Sequence, residues 1–238
     1  MGSGEWNSRT RLLLGEEGVR RLASARVLVA GVGGVGGYAA EILARTGVGH
    51  LTLADADTVS VSNLNRQLIA LIPDIGRSKT ELFANRFREI NPEIDVTTTD
   101  RFISADNVAE LLDEGFDFVV DAIDTVAPKT ALIAECMRRR IPVISSMGAG
   151  GRTDASKIGY ADLWETREDG LARAVRQRLK KAGLRRPLKT VSSTEAPRKG
   201  AIIEVNERNK MSSYGTVAAI PAIFGIMSAQ YVINKLCE

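Results

Sequence analysis

Strand-like runs and helical patterns alternate along the chain up to residue 147. Five short runs predict buried strands, and the segments between them place apolar residues at helical spacing. The predicted strands are 26–30, 50–54, 95–99, 116–122 and 141–145, and the predicted helices are 38–45, 79–90, 108–112 and 129–140. This alternation predicts a parallel, doubly wound sheet over residues 24–147, with right-handed crossovers.

After residue 147 the regular alternation stops at a run of small residues, 148–151. A helical segment ends near residue 181, and three further strands are predicted at 157–163, 189–194 and 201–205. Because these strands lack regular crossover helices, we expect antiparallel additions to the same sheet. The predicted fold class is α/β, a Rossmann-like doubly wound sheet whose parallel N-terminal half is continued by antiparallel strands.

Composition adds that the protein is an ordinary globular one. Of its 238 residues, 44% are hydrophobic and 26% are charged, which is typical of one large α/β domain. Cys136 and Cys237 lack a CxxC partner, so neither a disulfide framework nor a structural zinc site is indicated, and a reducing cytoplasm is expected. The polar N-terminus does not resemble a secretory signal.

The C-terminal stretch 211–234 contains no charged residue and predicts a helix. Its length approaches that of a membrane span. It also contains Pro221, Gln230 and several hydroxyl side chains, which favours a buried or interface helix over a membrane anchor. Membrane association is therefore not expected.

A glycine-rich turn follows the first predicted strand and precedes the first predicted helix. Gly31 permits the tight turn, Gly33 lets backbone N–H groups approach an anion, and Gly36 permits close packing of helix and strand. Such turns bind the phosphates of several nucleotides. The turn therefore predicts nucleotide binding without identifying the nucleotide.

Polar residues that follow the second and fourth predicted strands indicate which nucleotide is bound. Asp55, 19 residues after Gly36, can accept hydrogen bonds from ribose hydroxyls or cap a turn. Arg66 and Lys79 follow, with Asn63 before them, and cations at this place suit phosphates under nucleophilic attack. Asp124 follows the fourth strand and is a candidate Mg²⁺ ligand or a helix cap. Together these residues predict a site for ATP and Mg²⁺.

Charge is distributed unevenly. The net charge is +3, yet the segment 170–194 carries eight basic residues and no acidic one. They are Arg173, Arg176, Arg178, Lys180, Lys181, Arg185, Arg186 and Lys189. The cluster is either a solvated helix face or a contact for a polyanion.

The motifs GxGGxG, DxDxVxxSNLNRQ, GxxK and DAID together resemble the ubiquitin-activating enzyme superfamily, which includes the ThiF and MoeB proteins. The resemblance implies a single adenylating domain over 1–238, with a nucleotide-binding half at 24–147 and a substrate and dimer half at 148–238. It implies that ATP is bound by Gly31, Gly33, Gly34, Gly36, Asp55, Asp57, Asn63, Arg66, Lys79 and Asp124. It also implies that catalysis involves Asn63, Arg66, Lys79 and Asp124, and that Asp124 holds Mg²⁺.

The same resemblance implies a homodimer, in which an arginine near the N-terminus reaches the triphosphate of the other subunit. Arg9 matches best, and Arg11 is the close alternative. The implied reaction is attack of a carboxylate on the α-phosphate of ATP. No Ser-His-Asp arrangement is expected, because the single histidine, His50, begins a strand.

Within this superfamily the chain most resembles the tRNA threonylcarbamoyladenosine dehydratases. The chain lacks an acceptor cysteine and paired CxxC zinc ligands, and the matching segments are 8–15, 90–93, 120–124, 148–151 and 193–196. This implies adenylation of the threonylcarbamoyl carboxylate at tRNA adenosine 37, followed by ring closure with net loss of water. The basic cluster would then contact tRNA phosphates. A cysteine desulfurase system is an implied partner. The alternative is an adenylyltransferase for the C-terminal glycine of a ubiquitin-like sulfur carrier.

Overall fold

The computed structural model describes residues 5–207 and 210–238, and of residues 203–207 and 210–213 the backbone alone. Its helices are α1 Ser8–Ser24, α2 Gly36–Thr46, α3 Lys79–Ile90, α4 Val108–Asp113, α5 Val126–Arg139, α6 Gly170–Lys181 and α7 Ala219–Cys237. Its strands are β1 Arg26–Ala30, β2 His50–Ala54, β3 Asp95–Thr99, β4 Phe118–Asp121, β5 Val143–Ser146, β6 Ile158–Asp162, β7 Lys189–Ser193, β8 Ile202–Glu207 and β9 Lys210–Tyr214.

Seven strands form one sheet in the order β3-β2-β1-β4-β5-β7-β6. The strands from β3 to β7 in this order pair in parallel, and β6 pairs antiparallel with β7 at the edge. The α/β class and the parallel sheet ended by an antiparallel pair are therefore confirmed. The carboxyl ends of β1, β2 and β4 are aligned, since Ala30 lies opposite both Ala54 and Asp121.

Helices cover both faces of the sheet because the strands in its centre are apolar on both sides. In β1, Val27 and Val29 pack with α2, α3 and α7, whereas Leu28 and Ala30 pack with α4 and α5. A third apolar cluster joins α5 to α6. This two-faced packing explains why the central strands are continuous apolar runs rather than alternating ones.

Two details of the second half differ from the expectation. The predicted strand 189–194 runs parallel to β5, because β6 has already reversed the direction of the chain once. The predicted strand 201–205 does not join the main sheet. It forms β8, which pairs with β9 in a separate two-stranded sheet.

The two ends of the chain also differ from their sequence patterns. The helix α1 was not predicted from the sequence pattern. Only Gly18, Val19 and Leu22 are buried in it, and Gly15 interrupts it with a φ of 73°. The uncharged stretch 211–234 begins in β9, and α7 starts only at Ala219. Within the described residues, α7 has the length and apolarity of a membrane span, and half of that segment is buried inside the protein.

Candidate nucleotide-binding site

A cleft of about 920 Å³ opens at the carboxyl ends of β1, β2, β4 and β5. This is the edge where open parallel sheets bind their ligands. The cleft has two walls, which we define by their lining residues. The first wall consists of residues 31, 33–35, 54–58, 60, 62, 63, 66, 67, 79 and 101–103, and the second wall consists of residues 146–150, 170, 171, 214 and 216. Residues 122–126 and 128 follow β4, which lies between β1 and β5 in the sheet, and they line the cleft between the two walls.

The glycine turn forms the floor of the first wall. Gly31 has a φ of 82°, donates from its N–H to the Ala54 carbonyl at 2.7 Å, and has no room for a Cβ beside the Ala122 carbonyl. Gly31, Gly33 and Gly34 line the cleft. Gly36 is not among the lining residues, and a Cβ there would lie 1.7 Å from the Gly31 carbonyl oxygen. Its role is therefore the close packing of α2 against the turn.

Asp55 follows β2 and is held by two backbone donors. Its Oδ2 accepts from the Val32 N–H at 2.8 Å, and its Oδ1 accepts from the Asp57 N–H at 2.9 Å. Burial raises the pKa of Asp55 above its ordinary value, and the charge of Lys79 partly opposes this rise. Each carboxylate oxygen can accept a second hydrogen bond, so the side chain can also bind ribose hydroxyls.

Lys79 is brought to the cleft by the segment that precedes α3. The Lys79 N–H donates to the Asp57 carbonyl at 3.3 Å, and its Nζ lies 2.8 Å from an Asp57 carboxylate oxygen. The Lys79 side chain is only 3% exposed, whereas that of Asp57 is 73% exposed. A buried ammonium with one exposed partner is well placed to exchange that partner for a phosphate.

Asn63 ends the short helical turn Val61–Asn63 after β2, and Arg66 lies in the turn that follows it. Asn63 is buried, and its Oδ1 accepts from the Ser60 N–H at 3.1 Å. The Arg66 guanidinium donates to the Ser62 carbonyl at 2.6 Å and to Asn65 Oδ1 at 3.0 Å. Both residues line the first wall. The structure thus fixes a cation and an amide beside the glycine turn.

Asp124 is exposed between the two walls, at the end of a loop held by a buried ion pair. Lys129 and Asp121 are both 0% exposed, with 2.8 Å between Nζ and Oδ2. Lys129 Nζ also donates to the Ile123 carbonyl at 2.9 Å, and Asp121 Oδ1 accepts from the Ile123 N–H at 3.2 Å. The pair therefore holds both polar groups of the residue that precedes Asp124.

Lys129 was not among the predicted site residues, although its spacing to apolar residues of α5 indicates that it is buried. Leu132, Ile133 and Cys136 are fully buried and follow Lys129 by three, four and seven positions. A lysine at this spacing lies on the apolar face of the helix and needs a buried partner. Burial also raises the pKa of the Cys136 thiol to about 12, as expected for a packed cysteine rather than a nucleophile.

A buried guanidinium, that of Arg152, connects the loops of the second wall. Arg152 is 2% exposed and lies 3.5 Å from an Asp169 carboxylate oxygen. It donates to the carbonyls of Gly148, Glu168 and Glu195. Asp169 in turn accepts from the N–H of Gly148 at 2.9 Å and caps α6 through the N–H of Ala172. These contacts tie the start of α6 to the cleft.

The eight basic residues of segment 170–194 do not form one surface. Four of them are exposed on α6 and define what we call the basic face: Arg173, Arg178, Lys180 and Lys181. Arg176 is half-buried, and its guanidinium donates to the Leu163 carbonyl and to Thr166, so we leave it out of the basic face. Arg185, Arg186 and Lys189 lie beyond the helix. Arg185 lies over the ring of Trp164, and Arg186 donates to the Met137 carbonyl. Lys189 is the first residue of β7.

The N-terminal arginines lie away from this cleft. Arg9 is exposed at the start of α1, and its side chain has no hydrogen-bond or ion-pair partner among residues 5–202 and 214–238, whose side chains the structure describes. Arg11 forms an ion pair with Glu16 of the same helix. Within one protomer, therefore, neither arginine contributes to the cleft.

Comparison with known proteins agrees with this geometry. The sequence model of the ThiF family matches residues 7–238. The tRNA threonylcarbamoyladenosine dehydratase of Escherichia coli K12 is 38% identical, over 98% of this chain and 95% of its own length. The crystal structure of an E. coli enzyme of that name in complex with ATP is 40% identical, with a TM-score of 0.91 over 98% of this chain and 94% of the other. The molybdopterin-synthase adenylyltransferase of E. coli K12 is 39% identical, but over only 61% of this chain and 58% of its own length.

Proposed function

The chain belongs to the ThiF family, and on that premise we propose that it is an ATP-dependent tRNA threonylcarbamoyladenosine dehydratase. The family match and the dehydratase relatives confirm the resemblance found in the sequence. The observation that carries it is the full-length match to dehydratases together with a cleft that gathers Asp55, Asn63, Arg66, Lys79 and Asp124. The relative solved with ATP supports ATP as the co-substrate.

In the proposed reaction the threonylcarbamoyl carboxylate attacks the α-phosphorus of ATP, and pyrophosphate leaves. Ring closure within the activated group then releases AMP, with net loss of one water from the nucleoside. The turn at Gly31–Gly34 and Asp55 would hold the nucleotide, while Arg66 and Lys79 would neutralise charge that develops on the phosphate oxygens. Positioning and electrostatics supply the catalysis, so no protein nucleophile is required.

We assign the Mg²⁺ site to Asp124. Mg²⁺ in nucleotide sites takes one or two carboxylates and completes its shell with phosphates and water. The exposed Asp124 carboxylate between the two walls fits this chemistry. Among the described residues no three His, Cys, Asp or Glu side chains converge, so the phosphates would supply much of the shell. When bound, the ion would stabilise negative charge on the phosphates.

The remaining assignments concern assembly and location. We propose a cytoplasmic homodimer in which Arg9, which has no partner among residues 5–202 and 214–238, reaches the triphosphate of the other subunit. Arg11 is less suited because Glu16 already pairs with it. The basic face would bind tRNA phosphates. A cysteine desulfurase system is a further proposed partner. Activation of a sulfur-carrier protein is the weaker alternative, since the corresponding relatives match only part of the chain.

The test is incubation with ATP, Mg²⁺ and tRNA that carries threonylcarbamoyladenosine, followed by mass analysis of the nucleosides. We expect the modified nucleoside to lose the mass of one water. Asp124→Ala and Arg66→Ala should each lower turnover by about 100-fold or more.

The matched controls Asp113→Ala and Arg77→Ala remove an exposed acid and an exposed base that pair outside the cleft, and they should retain activity. Conversion by either cleft variant at the wild-type rate would refute the assigned site. Absence of water loss with the wild-type protein would refute the proposed function.

A further inference from the structure

The two walls of the cleft differ in charge, and this difference points to a second ligand. The first wall carries Asp55, Asp57, Arg66, Lys79 and Arg101. Every residue of the second wall is uncharged: Ser146, Met147, Gly148, Ala149, Gly150, Gly170, Leu171, Tyr214 and Thr216. A triphosphate would bind at the first wall, because the cations of the cleft lie there. The second wall suits a flat, uncharged group such as a nucleobase.

Tyr214 supplies an aromatic surface on that wall. It is 41% exposed, which leaves part of the ring free for contact. It is the last residue of β9 and lines the cleft. Base–aromatic stacking is the usual way in which proteins hold an unstacked base of a single-stranded RNA loop.

The position of Tyr214 is fixed by its surroundings. A Cβ on Gly150 would lie 2.4 Å from the Tyr214 Cβ, so the side chain packs directly on a glycine backbone. The next residue, Gly215, donates to the Ala201 carbonyl at 2.7 Å and accepts from the Gly151 N–H at 2.8 Å. A ring held in this way loses little conformational entropy when a base stacks on it.

The chain beside Tyr214 is also tied to the nucleotide wall. Asn65 Nδ2 donates to the Thr216 carbonyl at 3.1 Å, and Asn65 Oδ1 accepts from Arg66 at 3.0 Å. Tyr214 and the cation of the first wall are therefore held in a fixed relation.

The basic face begins at the same wall. Gly170 and Leu171 line the cleft as the first residues of α6, and the exposed cations follow along that helix. An RNA whose phosphates lie on the basic face would thus reach the cleft at the second wall. Enzymes that modify a base take it out of the stack and into such a pocket.

We infer that the second wall is a nucleobase subsite in which Tyr214 stacks on the modified adenine of the tRNA. The inference rests on the proposed function, because that function supplies the RNA. Tyr214 would act as a specificity-determining residue that holds the substrate base, while the first wall holds ATP.

The test measures binding of an anticodon stem-loop RNA to the full-length protein over a series of salt concentrations, without turnover. Tyr214→Leu keeps an apolar side chain on Gly150 but removes the ring, and it should weaken RNA binding by about 5- to 150-fold. Its salt dependence should stay unchanged, since stacking releases no counterions. Tyr214→Phe should bind within about twofold of the wild type. Tyr160→Leu removes an aromatic side chain that is 43% exposed outside the cleft, and it should leave RNA affinity intact.

Thermal melting identifies any variant that fails to fold, and Tyr214→Phe preserves the packing in any case. Wild-type affinity in Tyr214→Leu, equal losses in Tyr214→Leu and Tyr214→Phe, or a reduced salt slope in Tyr214→Leu would each overturn the subsite. Failure of the wild-type protein to bind the RNA would also overturn it. These results are distinct from failure of the proposed function, which is the absence of water loss in the nucleoside assay.

Discussion

Replacement of Lys129 by methionine tests how the protein holds Asp124 in place. Lys129 and Asp121 are both fully buried, and Lys129 also binds the Ile123 carbonyl. Methionine preserves most of the side-chain length and removes the charge. Removal of one partner from a buried ion pair destabilises a protein by about 3–5 kcal/mol, because the other charge is left uncompensated.

The destabilisation by Lys129→Met should lie toward the lower end of that range, because Asp121 keeps two other hydrogen bonds. Asp121 keeps the hydrogen bond from Ser145 Oγ at 2.5 Å and that from the Ile123 N–H at 3.2 Å. In a protein of 238 residues, each kcal/mol lowers Tm by about 2–4 °C, so the whole range corresponds to a drop of about 6–20 °C. Calorimetry or thermal melting by circular dichroism measures this shift. Arg139→Met, at the partly exposed end of the same helix, is the matched control and should change Tm far less.

A double variant separates stability from function. Asp121→Asn combined with Lys129→Met removes both charges. The amide oxygen can still accept from the Ile123 N–H, and the amide NH2 can donate to Ser145 Oγ, so most of the lost Tm should return. ATP-dependent turnover should stay low, since the Ile123 carbonyl still lacks its lysine and the Asp124 loop keeps only one of its two contacts. A drop in Tm below about 2 °C for Lys129→Met would refute the electrostatic reasoning. Full activity in the double variant would refute the positional reasoning.

Three further predictions follow from the placement of single side chains. Charge reversal of Lys180 and Lys181 on the basic face should weaken tRNA binding and lower its salt dependence, and an unchanged salt slope would mean a merely solvated surface. Arg176→Ala should instead lower Tm while leaving the salt slope unchanged, because its guanidinium is bound to Thr166 and the Leu163 carbonyl. The Cys136 thiol, whose pKa is raised to about 12 by burial, should resist alkylation at pH 8 until the protein is unfolded, as measured by intact mass; rapid labelling of the native protein would mean that α5 opens.

Much of the parallel half was predictable because its pattern is local. The predicted segments 26–30, 50–54, 79–90 and 95–99 coincide with β1, β2, α3 and β3, since buried strands and helices bounded by turns carry their own periodicity. The glycine turn, Asp55 and Asp124 were likewise predictable. Each lies within three residues of the end of a strand, and parallel strands bring their carboxyl ends to one edge.

The contacts that join distant segments were not predictable in this way. The sequence carried no sign that 201–205 would pair outside the main sheet, because strand pairing depends on which edge is free in three dimensions. The basic segment looked uniform, yet packing turned Arg176 inward and left the basic face of α6 exposed. The sequence shows which residues are charged, but not which way each side chain points in the folded protein.

The sequence by itself therefore determined the parallel sheet, the nucleotide edge and the family, since these depend on short patterns and on residue types at fixed spacing. Only the tertiary structure decided how the edge is held: Lys129 against Asp121 beneath Asp124, Arg152 against Asp169 behind the second wall, and Tyr214 on the backbone of Gly150. Each of these contacts joins residues whose partner lies on a separate element. Their energies arise from burial and close approach, which exist only once the elements have packed.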